Sequence, residues 1–142
     1  MTDTTLSHEQ NQPGLFGHLG KTHAVMADLG LDHALAALIE LRASQINQCA
    51  FCVDMHLAQA RKIGLPQDKL DRLVVWREVE TFTPAERAVL AWTEALTDLD
   101  PNGDLSPLRD EMRQHFDDAT ISVITADVGM INLWNRVQKS KH

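Results

Sequence analysis

An all-α fold follows from three features of this sequence. Apolar residues recur at helical spacing in segment after segment, as in Ala88, Val89, Ala91, Trp92, Ala95, Leu96 and Leu99. Boundary signals punctuate these segments. Thr83-Pro84-Ala85-Glu86 joins a capping threonine, a first-turn proline and a capping-box glutamate. No stretch alternates apolar and polar residues for long enough to form a half-buried strand, so almost no strand is expected. The expectation is a helical bundle of about six to seven helices in one domain.

In chain order, residues 1–13 are polar without an apolar face and read as a flexible N-terminal arm. Residues 14–142 make up the single helical domain. Leu15, Phe16, Leu19, His23, Met26 and Leu29 lie near helical spacing, but Gly14, Gly17 and Gly20 weaken the first part. A helix over about 18–29, stopped at Gly30, is predicted. Asp32 is a plausible cap for the next helix, whose apolar face carries Ala34, Leu35, Leu38, Ile39, Leu41 and Ile46. Asn47 reads as a break. A helix restarts there with Cys49 in its first turn and runs to Ile63, where Gly64-Leu65-Pro66 ends it. Further helices are predicted from Gln67 to about Trp76, from Pro84 with Phe82 stapled onto it, from a Ser106-Pro107 cap to about Phe116, and from about Ala119 to Val137.

At 142 residues the chain is long enough to bury a core. Its net charge of −7 leaves no basic excess to neutralise phosphates, which argues against nucleic acid or an anionic membrane as partner. No run of about 18 apolar residues offers a membrane span. The N-terminus lacks a signal-peptide pattern, so a cytoplasmic location is expected. In a reducing compartment, paired cysteines point to catalysis, redox sensing or metal binding rather than a static staple.

The only two cysteines form Cys49-Ala50-Phe51-Cys52, and His56 follows four residues after the second. Residues three apart on a helix are neighbours, so the sulfurs can reach bonding distance. A helix start favours thiolate through its unpaired N–H groups. His56 shares that face and can stabilise a thiolate or accept its proton. The dipole favours Cys49 as the attacking thiol, and the i, i+4 spacing to His56 favours Cys52. Two other readings compete. The cysteines are packed as small hydrophobes, or Cys and His hold a metal. Zinc wants four ligands, and only Asp54 and His33 lie near in sequence.

The stretch Ala43-Ser-Gln-Ile-Asn-Gln-Cys49-Ala-Phe-Cys52-Val-Asp-Met-His56 resembles the core of the AhpD-like alkylhydroperoxidase branch of the carboxymuconolactone decarboxylase superfamily. Trp76-Arg77-Glu78, the segment 82–97 and Ile131-Asn132-Leu133-Trp134-Asn135-Arg136 extend the likeness over roughly residues 30–137. The resemblance implies an AhpD-like helical bundle that associates through helices as a homo-oligomer, a trimer or hexamer. It implies a thiol-dependent peroxidase or disulfide reductase in antioxidant defence, with no metal, haem or flavin. The substrate would be a small hydroperoxide and the reductant an external dithiol of thioredoxin or lipoyl type. By position, Cys52 would attack the peroxide, Cys49 would resolve the product and His56 would assist thiolate formation.

The sequence departs from the family pattern at two positions. The relay glutamate that family members carry twelve residues before the first cysteine is Ala37, and the glycine before that cysteine is Gln48. Glu40, one turn along the same helix, and Glu78 are the candidate replacements. A decarboxylase-type enzyme, as in other branches, does not need the cysteine pair. A redox-sensing oligomer with a decayed relay is the reading that Ala37 favours. Trp76, Trp92 and Trp134 read as core or interface anchors. Arg42 and Arg136 read as ion-pair partners for Glu86 or Asp127, and Arg77 as a surface salt bridge or a guide for an anionic substrate. His18, His23 and His115 carry no usable pattern.

Overall fold

The computed structural model describes residues 4–142. Among them there are eight α-helices and one 3₁₀ segment, and no strand. The helices are α1 (His8–Asn11), α2 (Pro13–Asp28), α3 (His33–Ile46), α4 (Ala50–Lys62), α5 (Gln67–Arg72), α6 (Pro84–Thr97), α7 (Ser106–Arg113) and α8 (Asp118–Lys139), with the 3₁₀ segment Leu73–Glu78 after α5.

Helix α3 is the central element, packed against α4, α6 and α8. Its Leu38, Ile39, Leu41 and Ala43 point in several directions, and a helix apolar on most faces is driven to the interior. One core gathers Ile39, Ala43, Val89, Trp92, Met112, Ile124, Val128 and Ile131 from α3, α6, α7 and α8. A second gathers Leu38, Leu41, Ala60, Leu70, Leu73, Trp76, Phe82 and Leu90 around α4, α5 and the 3₁₀ segment. Asp32 caps α3 by accepting from Leu35 N–H, and Thr83 and Glu86 form the reciprocal capping box of α6.

Several expectations need correction. Residues 1–3 of the expected arm lie outside the described residues, and the rest includes α1 and touches the C-terminal residues. Leu6 N–H donates to the Lys141 carbonyl at 2.9 Å, and Lys141 pairs with Glu9 at 3.0 Å. Helix α2 begins at Pro13, earlier than its glycines suggest, because Phe16 and His23 pack on Trp134 of α8. The helix expected from Gln67 to Trp76 leaves α geometry after Arg72, with a kink at Val75. Arg87 stabilises that departure by donating to the carbonyls of Trp76, Arg77 and Val79. Ser106 is inside α7 rather than its cap, and its N–H donates to Asp104. Arg42 pairs with Glu94 rather than with Glu86 or Asp127, and Glu86 pairs with Lys69. Arg136 is exposed and bonds Asn132. Arg77, by contrast, is in a surface salt bridge as expected, to Glu94 beside the Trp76 ring.

Candidate active site

The turn between α3 and α4 sets the position of the cysteines. Asn47 ends α3, and Gln48 takes a left-handed conformation, φ 53°, that costs a side-chain-bearing residue free energy. Polar contacts to α8 hold this turn. Asn47 donates to Asn132 at 2.9 Å and to Asn135 at 2.8 Å. Asn135 donates to Ser44 at 3.0 Å, and Lys139 donates to the Gln48 carbonyl at 3.2 Å. Cys49 therefore stands at the N-cap of α4, just outside the first turn where it was expected, and its sulfur accepts from Cys52 N–H.

Cys49 and Cys52 are joined by a disulfide, with Cα atoms 5.2 Å apart, inside the span that disulfides use. Both are buried, and Cys52 is only 1 % exposed. Cys52, not Cys49, lines a cavity of about 620 Å³ between α2, α3, α4 and α8. His56 lies on the same wall, one helical turn after Cys52. Met26, Leu31, Ala37, Phe51 and Ile131 give the cavity an apolar lining.

Glu40 projects from α3 into this cavity, with its side chain 14 % exposed. Its Oε2 lies 3.3 Å from His56 Nδ1. Neither His56 nitrogen has an aligned hydrogen bond, so Glu40 is the imidazole's ion-pair partner by proximity. Burial favours the neutral acid at Glu40. The polar groups of His56 and Asp127 facing it outweigh burial and hold its pKa below the usual carboxylate range. Glu78, the other candidate carboxylate, is exposed at the end of the 3₁₀ segment and outside the cavity. Nothing joins it to His56, because the kink after α5 carries it to the surface.

Two further residues face this site, although the sequence marked Asp127 only as an ion-pair partner and His23 by no usable pattern. Asp127 of α8 is fully buried, and neither of its oxygens has a hydrogen-bond partner. Burial and the neighbouring Glu40 charge push its pKa up to about 9. His23 of α2 places Nδ1 3.9 Å from both Glu40 and Asp127. A signal for Asp127 was present. It occupies an apolar-face position among Ile124, Val128 and Ile131, where an acid has no ordinary reason to be.

His23, Glu40 and Asp127 bring donor atoms within 4.8 Å of one another. The imidazole tautomer opposes a metal there. Trp134 Nε1–H can only donate, and it donates to His23 Nε2 at 2.8 Å. Neutral His23 then carries its proton on Nδ1, the atom that faces the carboxyls, and has no lone pair to offer a cation at that position. His33 also lines the cavity, while Asp54 does not.

Residues 19–95 match the carboxymuconolactone decarboxylase family. The uncharacterized protein YdfG of Bacillus subtilis is 35 % identical over 100 residues, which is 70 % of this chain and 68 % of that one. The uncharacterized protein YnjA of Escherichia coli is 32 % identical over 103 residues, 72 % of this chain and 56 % of its own length. Among solved structures, ATU0492 of Agrobacterium tumefaciens superposes with a TM-score of 0.89 at 37 % identity, covering 98 % of this chain and 97 % of that one. It is a protein of unknown function that has been proposed as the antioxidant defence protein AhpD. A peroxidase-related protein from Silicibacter sp. shares the fold, with a TM-score of 0.72 at 23 % identity, over 85 % of this chain and 66 % of its own. The chain belongs to the carboxymuconolactone decarboxylase family and has the AhpD-like helical fold. No described helix is long and apolar enough to cross a membrane.

Proposed function

We propose that this chain is a thiol-dependent peroxidase. The observation that carries the reading is the convergence of Cys52, His56 and Glu40 on one apolar-lined cavity, with Cys49 at bonding distance behind Cys52.

The reaction uses only these groups and two external reactants. In the reduced protein, His56 takes the Cys52 proton and Glu40 balances the imidazolium charge. The Cys52 thiolate attacks the terminal oxygen of a hydroperoxide. The O–O bond breaks, the alkoxide leaves with the proton from His56 as an alcohol, and Cys52 becomes a sulfenic acid. The Cys49 thiol attacks that sulfur, water departs, and the disulfide forms. An external dithiol then exchanges with it and restores both thiols, becoming oxidised itself.

Glu40 also bears on the rival reading of a decayed redox sensor. The reason for that reading was the missing carboxylate at Ala37, and Glu40 supplies one within 3.3 Å of His56. The decarboxylase reading gains nothing from a cysteine pair with one member at a cavity wall. Steady-state turnover of an organic hydroperoxide with dithiothreitol as reductant tests the proposal. Cys52→Ser is expected to abolish thiol-dependent turnover, and unchanged turnover in that variant would end the peroxidase reading.

A further inference from the structure

The thiol mechanism leaves Asp127 unused, yet among the described residues no other carboxyl is buried so completely with so little to hold it. The titratable groups that face it are Glu40 from α3 and His23 from α2, with His56 of α4 beyond Glu40. Among the described residues no lysine or arginine pairs with it. Arg42 is committed to Glu94 and Gln45, and Arg136 to Asn132. We propose that Asp127 is a positioning residue of the thiol site, sharing one proton with Glu40 so that the negative charge stays on the carboxylate next to His56. The proposal deepens the thiol-site reading and rests on it.

Geometry decides which carboxyl keeps the proton. Two carboxyls side by side in a buried site cannot both ionise without large repulsion. Glu40 has His56 Nδ1 at 3.3 Å, whereas the imidazole nitrogen facing Asp127 is His23 Nδ1 at 3.9 Å, equally distant from Glu40, and Asp127 is shut off from solvent. Charge therefore settles on Glu40 and the proton on Asp127, which turns an unpartnered acceptor into a donor aimed at Glu40. His23 completes the arrangement from the open side. Its Nδ1–H, fixed by the Trp134 bond to Nε2, faces both carboxyls at 3.9 Å. Helix α8 is held against α3 by Asn135 and Ser44, two turns along from Asp127, so the acid is not free to turn away. Without the Asp127 donor, Glu40 becomes easier to protonate, His56 loses its counter-charge, and the Cys52 thiolate becomes less favoured.

The test reads protonation and thiol reactivity without peroxide. Infrared difference spectroscopy of the full chain at neutral pH should show the C=O band of a buried protonated carboxyl, absent in Asp127→Asn. In a Cys49→Ser background Cys52 is the only thiol. There, Asp127→Ala should slow iodoacetamide alkylation at pH 7 by about tenfold and move its pH profile upward. Asparagine keeps an N–H donor and should restore the rate to within about threefold of the parent. Absence of the acid band, equal slowing by alanine and asparagine, or no slowing by alanine would overturn the proposal. So would one equivalent of bound zinc or manganese in the parent that is lost in Asp127→Ala. If Asp127→Ala does not fold, the infrared comparison of the parent with Asp127→Asn decides. Loss of peroxide turnover with these results intact would refute the peroxidase reading and leave this one standing.

Discussion

Glu40 and Ala37 are one turn apart on α3 and line the same cavity, so a carboxylate at either position faces the same space. Glu40→Gln is expected to slow peroxide turnover about tenfold to a hundredfold, at the lower end of general acid–base effects. Turnover kinetics check this, and in a Glu40→Ala background the further change Ala37→Glu should recover part of the loss. Asp127 carries a prediction about stability. Its carboxyl titrates near 4 in the unfolded chain and at about 9 in the folded one. Between these values the folded state binds more protons than the unfolded state, so stability falls as pH rises through that window and is flat beyond it. Asp127→Asn removes the slope and should be more stable than the parent at pH 8 by about 1–3 kcal/mol, measured by urea denaturation across pH. Cys49, Cys52, His56 and the candidacy of Glu40 were legible in the sequence because they lie within one short stretch. Asp127 and His23 were not, because their relation to Glu40 depends on how α2 and α8 cross α3.

The α3–α4 turn is the element on which the cysteine geometry depends. Asn47 uses both of its amide hydrogens on Asn132 and Asn135, and all three are tied into the α3–α8 contact. Asn47→Ala should cost about 1–3 kcal/mol, because it strands the buried Asn135 Oδ1. Gln48→Gly should stabilise the turn by up to about 1 kcal/mol, since glycine adopts positive φ without the Cβ penalty and the Lys139 bond goes to the backbone. Thermal or chemical denaturation of each variant checks both signs. Element boundaries followed local chemistry where a cap was written in the sequence, as at Asp32 and Thr83. They departed from it where distant side chains intervened. The carbonyls that Arg87 gathers end α-geometry after α5, and Trp134 stabilises a glycine-containing α2.

At the scale of the molecule, several exposed apolar side chains lie on or at the ends of two helices that border the cavity. Val25 on α2 and Leu29 just after it, and Phe51 and Met55 on α4 and Ile63 just after it, are all exposed. We propose that a homo-oligomer, which the family resemblance implies, would cover these residues. Light scattering during size exclusion should give a mass of three or six chains, and a monomer at micromolar concentration would contradict the proposal. The all-helical class was legible throughout because periodicity and caps agree in most segments. The cavity was not, since it is a space between four helices and no single segment encodes it. The central claim is that Cys52 is the atom that meets peroxide. One measurement addresses it most directly: mass spectrometry of Cys49→Ser after one equivalent of an organic hydroperoxide, with dimedone present to trap sulfenic acid. The dimedone adduct is predicted on Cys52, in proportion to peroxide consumed. Peroxide consumed without modification of Cys52, or no consumption at all, would contradict the account.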